Sequence, residues 1–332
     1  MKRLLYLGYY LKNMNWPMLG RFMAHVRAQT GRSRTGQLLD ALCDSLRYNI
    51  SILEYYQFHF YSLQPSEKAS WAGTGTMYEF QLKANPRAVR GVLEDKRRFH
   101  QAYGEFIVHD MLEREAVVPG DERVEHLLAA NARLVLKPAT GNCGRQIKVI
   151  NSADLDAAGL RALMDAEGYD LVETYIHQHP ELARLSPAGV NTVRVFTLLD
   201  EQGKVRILGC RLRISIDSVV DNLAAGNVAA AVNEQTGQVE GPGVYADITR
   251  PPETQHPVTG VPIVGFQVPH WPAVLELVRR ASLAHPENRS VGWDVVVTAD
   301  GPGLIEGNHD WCKLVWQLPV NRGLKPLLEL AP

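Results

Sequence analysis

The sequence predicts an α+β fold with a mostly helical amino-terminal region, and three observations predict it. Residues up to about 95 carry apolar clusters at 38–46 and 50–63 with few alternating runs. From about residue 130 the texture changes to short β-like runs separated by turn signals. Tight turns join those runs, so the strands of the second half are expected to pair largely antiparallel.

Taken in order, the runs are Leu134 to Lys137, Gln146 to Ile150, Leu171 to Ile176, Val193 to Leu199 and Val205 to Ile214. Asp200-Glu201-Gln202-Gly203 and Asn233-Glu234-Gln235-Thr236-Gly237 supply hairpin turns. Trp271 to Ala284 has helical spacing through Val274, Leu277, Val278 and Ala281, with Pro272 at its start. Residues 241–269, rich in Pro and Gly, read as one long loop. The amino-terminal region holds no G-x-G-x-x-G after a strand, which disfavours a Rossmann-type domain there.

At 332 residues, 45% of them hydrophobic, the chain can bury a substantial core. A formal net charge of −1 removes the global electrostatic case for nucleic acid, so no nucleic-acid partner is expected. Cys43, Cys143, Cys210 and Cys312 lie far apart, outside zinc-ligand spacing, and suggest a reduced, cytoplasmic protein. The apolar run Leu4 to Leu11 is broken by tyrosines and glycine and makes a poor signal peptide; no stretch approaches the roughly 20 apolar residues of a membrane span. Lys2, Arg3, Lys12, Arg21, Arg27, Arg32 and Arg34 all precede the first acid, Asp40, with Trp16, Met18 and Phe22 interleaved. That segment is either a solvated basic face or a peripheral membrane contact.

Lys137-Pro138-Ala139-Thr140-Gly141-Asn142-Cys143-Gly144 lies between two strand runs. It lacks the order and the following helix of a P-loop, but Gly141 and Gly144 allow backbone N–H groups to fold over phosphates, with Lys137 as a point charge. A plain hairpin with an exposed lysine is the alternative.

The sharper signal is carboxyl-terminal. Trp293 to Thr298 and Leu304 to Asn308 flank Ala299-Asp300-Gly301, a three-residue hairpin loop. If Thr298 pairs with Pro302, Asp294 lies opposite Glu306, and Asn308 shares their face. Opposed Cβ atoms sit about 5 Å apart, so two carboxylates would repel unless a proton or cation intervenes, and Mg²⁺ suits carboxylate and amide oxygens. Val295, Val297 and Ile305 then mark the opposite face as core, and a solvated acidic face is the alternative.

Between the two sites, Leu171 to Ile176 is an apolar strand carrying Glu173, followed by Glu181; the pair suits an adenine amine and ribose hydroxyls, and a plain surface charge is the alternative for either one. Asn191, Arg194, Arg206, Arg211 and Arg213 fall at mostly alternating positions, with Arg211 and Arg213 on one face. Arginines so placed suit phosphate or carboxylate, or else pair with acids such as Asp217.

The order Lys137-Pro138, Gly141, Gly144, then Glu173-x-x-Ile176, Asp294 and Glu306-x-Asn308 resembles the ATP-grasp superfamily over about residues 95 to 310. Asp95-Lys96-x-x-Phe99, Gln178-His179-Pro180, Asn191-Thr192-Val193-Arg194, Asp221-Asn222, Gly292-Trp293-Asp294 and Glu54-Tyr55-Tyr56-x-Phe58 are similar to its sugar-transfer-associated branch. The resemblance implies an ATP-grasp fold, two α+β lobes clasping ATP: residues 96–178 as the small lobe and 179–332 as the carboxyl-terminal lobe, after a helical region at 1–95. It implies that Lys96 and Lys137 contact phosphates, that Glu173, Tyr175 and Ile176 form the adenine hinge, and that Glu181 holds the ribose. Asp294, Glu306 and Asn308 would bind Mg²⁺ or Mn²⁺; Arg213, Arg211 and Arg194 would act on the transferring phosphoryl group, and Asn222 would line the pocket. The implied activity is ATP-dependent ligation of a small-molecule carboxylate to an amine or thiol through an acyl phosphate. A kinase of the same fold and a non-catalytic nucleotide-binding partner of polysaccharide assembly are the alternatives.

Overall fold

The computed structural model of the chain describes residues 2–141 and 147–330. Its amino-terminal region is helical: α1 (Lys2–Lys12), α2 (Trp16–Thr30), α3 (Arg34–Tyr48), α4 (Ile52–Gln57), α5 (Pro65–Ala69), α6 (Thr74–Ala84), α7 (Gly91–Glu94) and α8 (Lys96–Tyr103). The starts have local causes, since the side chains of Asn15, Ser33 and Ser51 accept from backbone N–H groups that open α2, α3 and α4. The helices bury Phe22, Val26, Ile52, Tyr55, Tyr56 and Trp71 in a core of their own.

A four-stranded antiparallel sheet follows, built from β1 (Met111–Glu113), β2 (Arg133–Lys137), β3 (Lys148–Asn151) and β4 (Leu171–Thr174) in the order β1-β4-β2-β3. Strand alternation sorts its faces. Leu134, Leu136 and Val172 turn toward α9 (Glu122–Ala130) and α10 (Ala157–Glu167), while Val135, Lys137 and Glu173 face a cleft.

Beyond the short α11 (Pro180–Leu185), a five-stranded antiparallel sheet runs β7-β6-β5-β8-β9, with β5 at Val193–Leu199, β6 at Val205–Ile214, β7 at Val228–Val232, β8 at Ser290–Val297 and β9 at Pro302–Asn308. One face carries Val193, Val195, Leu212, Trp293 and Val295 beneath α12 (Trp271–Ala284). Phe99, Tyr103 and Phe106 join this core, so α8 packs with the larger sheet although it opens the span expected for the small lobe. The loop 241–269 contains no helix or named strand, yet Tyr245, Ile263, Phe266 and Val268 anchor it to the same core.

The other face is shared. At one end Phe196, Leu198 and Leu208 pack on Trp311 and Trp316 and on Ala72, Met77 and Phe80 of the helical region; at the other it opens to the cleft. The segment leading into α13 (Lys313–Gln317) is fastened to the helical region by polar bonds. Asn85 donates to the His309 carbonyl at 3.1 Å, Gln81 to that of Trp311 at 3.2 Å, and the Gln317 side chain bonds both the N–H and the carbonyl of Ala72 at 2.9 Å. Buried Glu54 completes this attachment: it accepts from Ser51 and Thr74 and pairs with Lys313 at 3.0 Å.

Candidate active site

The cleft between the two sheets has a volume of about 340 Å³. It gathers Lys96, Lys137, Gly141, Glu173, Tyr175 and Ile176 from one side, and Arg194, Arg213, Asn222, Asp294, Glu306 and Asn308 from the other. Two residues expected there lie elsewhere, and Gly144 falls outside the described residues.

On the small sheet, Lys137 ends β2 and its ammonium lies against the Glu173 carboxylate, which is also met by His109 at 3.2 Å. All three side chains are buried. Burial alone would raise the Glu173 carboxyl, but the charge of Lys137 and the His109 bond outweigh it and lower it to about 2. Lys96, at the start of α8, takes the Ala139 carbonyl on its backbone N–H at 3.0 Å and donates from Nζ to the Gly141 carbonyl at 3.2 Å. Gly141 has a φ of 119°, where a side chain is strained. Tyr175 carries the Arg133 guanidinium over its ring, 3.9 Å from the centroid.

On the large sheet, Asp294 does face Glu306, by a different route from the one expected. At the turn Val297, not Thr298, pairs with Pro302, and a bulge between Asp294 and Val295 leaves Ile305 unpaired and restores the register. Ile305 therefore lines the cleft instead of marking the core face. Asp294 is buried and held by two arginines: Arg194 through Nε and, at 2.8 Å, Nη2, and Arg213 through Nη1 at 2.9 Å. Against burial, these two guanidinium groups lower its carboxyl well below the usual range. Arg213 also pairs with Asp221 at 2.5 Å. Glu306 has the opposite bias, since burial and then the facing Asp294 charge raise its carboxyl.

Two expectations are corrected. Arg211 shares a sheet face with Arg213, but its guanidinium donates to the backbone carbonyls of Trp316, at 3.0 Å from Nε, and Cys210, at 2.7 Å, so it braces α13 outside the cleft. Glu181 opens α11 at the surface and pairs with Arg184 at 2.7 Å, away from the cleft. Asp217 is exposed; the acids that pair with the sheet arginines are Asp221 and Asp294. Sequence reasoning missed His109, which carries no local signal, and left Asp221 unassigned although it stands in Asp221-Asn222.

The donor set fits a divalent cation. Asp294 offers about four lone-pair sites, of which three are taken by arginine N–H groups. Asn308 donates its amide to Gly292 and Glu306, each at 3.3 Å, which leaves its Oδ1 without a donor among the described residues. Glu306, the remaining Asp294 lone pair and Asn308 Oδ1 thus present oxygen ligands of the kind Mg²⁺ takes.

Residues 76–331 match the family described as Sugar-transfer associated ATP-grasp, and the chain belongs to it. Its fold is the ATP-grasp fold, preceded by a helical region. Among solved structures it is similar to the ATP-grasp ligase PsnB complexed with a phosphomimetic variant of a minimal precursor, Mg and ADP (15% identity, 74% of this chain, TM-score 0.44). This chain spans 60% of the length of that PsnB chain. It is also similar to a RimK domain protein ATP-grasp from Sphaerobacter thermophilus (13% identity, 74% of this chain and 69% of that one, TM-score 0.40). A third is D-alanyl-alanine synthetase A from Vibrio cholerae (11% identity, 73% and 65%, TM-score 0.45). Likenesses this distant say nothing of substrate. No curated protein matches the sequence. Among the described residues, no helix is long and apolar enough to cross a membrane.

Proposed function

We propose that the protein is an ADP-forming ligase that activates a small-molecule carboxylate with ATP and transfers the acyl group to an amine or thiol. The observation that carries this reading is the facing pair Asp294 and Glu306, with Asn308, in a cleft whose opposite wall carries Lys96 and Lys137. The family name adds a sugar-linked setting, polysaccharide or secondary-metabolite assembly, as the context of the acceptor.

In this reading the adenine lies along the Thr174–Ile176 backbone between Val135, Val149 and Ile305, with Asn222 on the far side of the pocket. Glu173 is engaged by Lys137, so the hinge backbone supplies the adenine acceptors and Glu173 positions the lysine. Lys137 and Lys96 each have three donors and spend one in the contacts above, which leaves two apiece for phosphate oxygens. Glu306, Asn308 and Asp294 would hold Mg²⁺, or Mn²⁺ in its place, which when bound neutralises charge on the phosphates. Arg194 keeps Nη1 without a partner among the described residues and directs it at the transferring phosphoryl group; Arg213 fixes Asp294 in place. The substrate carboxylate attacks the γ-phosphorus, the bond to the ADP oxygen breaks, and the amine or thiol displaces phosphate from the acyl phosphate.

ATP turnover with Mg²⁺ in mixtures of amino acids, uronic acids and amino sugars, following ADP and phosphate separately, tests the reading. Release of both products only when carboxylate and acceptor are present, abolished in Glu306→Ala, is expected. ADP without phosphate would make the protein a kinase, and nucleotide binding with no turnover would leave either acceptors absent from the mixtures or a non-catalytic partner.

A further inference from the structure

α1 is apolar around most of its circumference, yet only one side is covered. Leu7 and Tyr10 turn toward the other helices, and Arg3 donates to the last carbonyls of α3, Leu46 and Arg47, at 2.7 Å. The opposite side presents Leu4, Leu5 and Tyr9, exposed by 63%, 71% and 62%, and Trp16 at the start of α2 is exposed by 60%. A helix that merely faced solvent would carry polar residues there. Several large apolar side chains exposed together on one short helix mark a contact surface instead.

Charge on the same segment names the kind of surface. Lys2 and Lys12 bracket the exposed stripe, and neither pairs with an acid among the described residues. Seven cations precede Asp40 without one acid among them. Of these, Arg21 pairs with Asp247 and Arg32 with Asp40, whereas Arg27 and Arg34 have no acidic partner among the described residues. Glu79 on α6, the acid that meets α1, accepts the Tyr6 hydroxyl at 3.2 Å. An apolar stripe with Tyr and Trp, flanked by lysines on a helix of 11 residues, is too short to span a bilayer and is built to lie in its headgroup boundary.

We propose that α1 and the first turn of α2 dock in plane on an anionic lipid surface, with Leu4, Leu5, Tyr9 and Trp16 in the boundary and Lys2 and Lys12 on headgroup phosphates. This docking is independent of the ligase reading. Single apolar-plus-basic anchors of this size bind reversibly, so the chain would exchange between the surface and solution.

The test is sedimentation of the full chain with vesicles of phosphatidylcholine alone and of phosphatidylcholine mixed with phosphatidylglycerol, at low and high salt. Binding is expected only with phosphatidylglycerol, weakening as salt rises. The double variant Leu5→Asn/Tyr9→Asn should lose at least about tenfold in partitioning. Lys2→Gln/Lys12→Gln should lose about tenfold and flatten the salt dependence. Both change exposed side chains, and an unchanged melting temperature shows that the fold is kept. Absence of vesicle binding, equal binding to both lipids, or binding unaffected by both double variants would overturn the proposal. Self-association abolished by Leu5→Asn/Tyr9→Asn without vesicle binding would assign the patch to a second copy of the chain and overturn it as well.

Discussion

Two carboxylates enter the cleft from opposite sheets into opposite surroundings. Glu173 meets Lys137 and His109, and the protein supplies the positive charge that holds it ionised. Glu306 meets Asp294, whose own countercharge from Arg194 and Arg213 is already committed, and burial with the facing acid biases it toward its neutral form. The small sheet thus balances its acid with its own lysine, whereas the large sheet leaves Glu306 without a countercharge of its own among the described residues, to be met by a proton or, in the proposed reading, by a cation.

The largest effect that would break this contrast lies in turnover. If Glu306 holds the proposed Mg²⁺, Glu306→Ala should lower ATP turnover by about 10³-fold or more, since such a ligand is worth several kcal/mol to the transition state. The same change should leave the ligand-free melting temperature unchanged or raised, since it relieves a like-charge contact. Loss of both together would mean that Glu306 is structural.

Glu173→Leu inverts that pattern. It strands a buried lysine, and urea unfolding should report a loss of about 3–5 kcal/mol. A loss below about 1 kcal/mol would show that Lys137 finds another partner and that the pair is not what holds the small sheet.

Acidity sharpens the comparison. Glu173 has a folded value of about 2, below its unfolded one, so its stabilisation is present above the unfolded value near 4.3 and is lost as pH falls toward the folded one. Glu306 is raised, so its contribution is present below the unfolded value and is lost as pH rises through the folded one. Glu306→Gln should therefore be the more stable chain at neutral pH, with the difference vanishing in acid. Mg²⁺ should raise the melting temperature of the wild type and not of Glu306→Gln. Equal Mg²⁺ responses would place the ion elsewhere.

The smallest effect is expected at Glu181. Its pair with Arg184 is exposed, so Glu181→Ala should change stability by no more than about 0.5 kcal/mol. The KM for ATP should also stay within about twofold, for want of any contact with the cleft. A tenfold rise in KM would return the ribose role to Glu181.

Much of this arrangement was legible because long, periodic elements declare themselves. β5, β6 and α12 begin and end where alternation or helical spacing does. β1 has three residues and no pattern to read. β7 is Val-Ala-Ala-Ala-Val, alanine-rich and without alternation, and pairing with β6 makes it a strand. The facing of Asp294 and Glu306 was expected from a turn register that is one residue off, and it holds only because a bulge that no sequence pattern announces makes up the difference. Face membership likewise follows from spacing, whereas the destination of a long side chain does not: Arg211 and Arg213 sit two residues apart and reach a helix carbonyl and a carboxylate pair. His109 needed the fold to bring it to Glu173.

The attachment of the helical region to the 309–317 segment bears on how the molecule is made. Gln317 and Ala72 are separated by 245 residues, and Glu54 and Lys313 lie further apart still. On a ribosome the amino-terminal helices emerge early with their capping bonds available, but the surfaces on Ala72, Met77 and Phe80 stay wet until the segment carrying Trp311 and Trp316 is synthesised. Closure of that contact is a late, non-local event, which waits on the synthesis of α13.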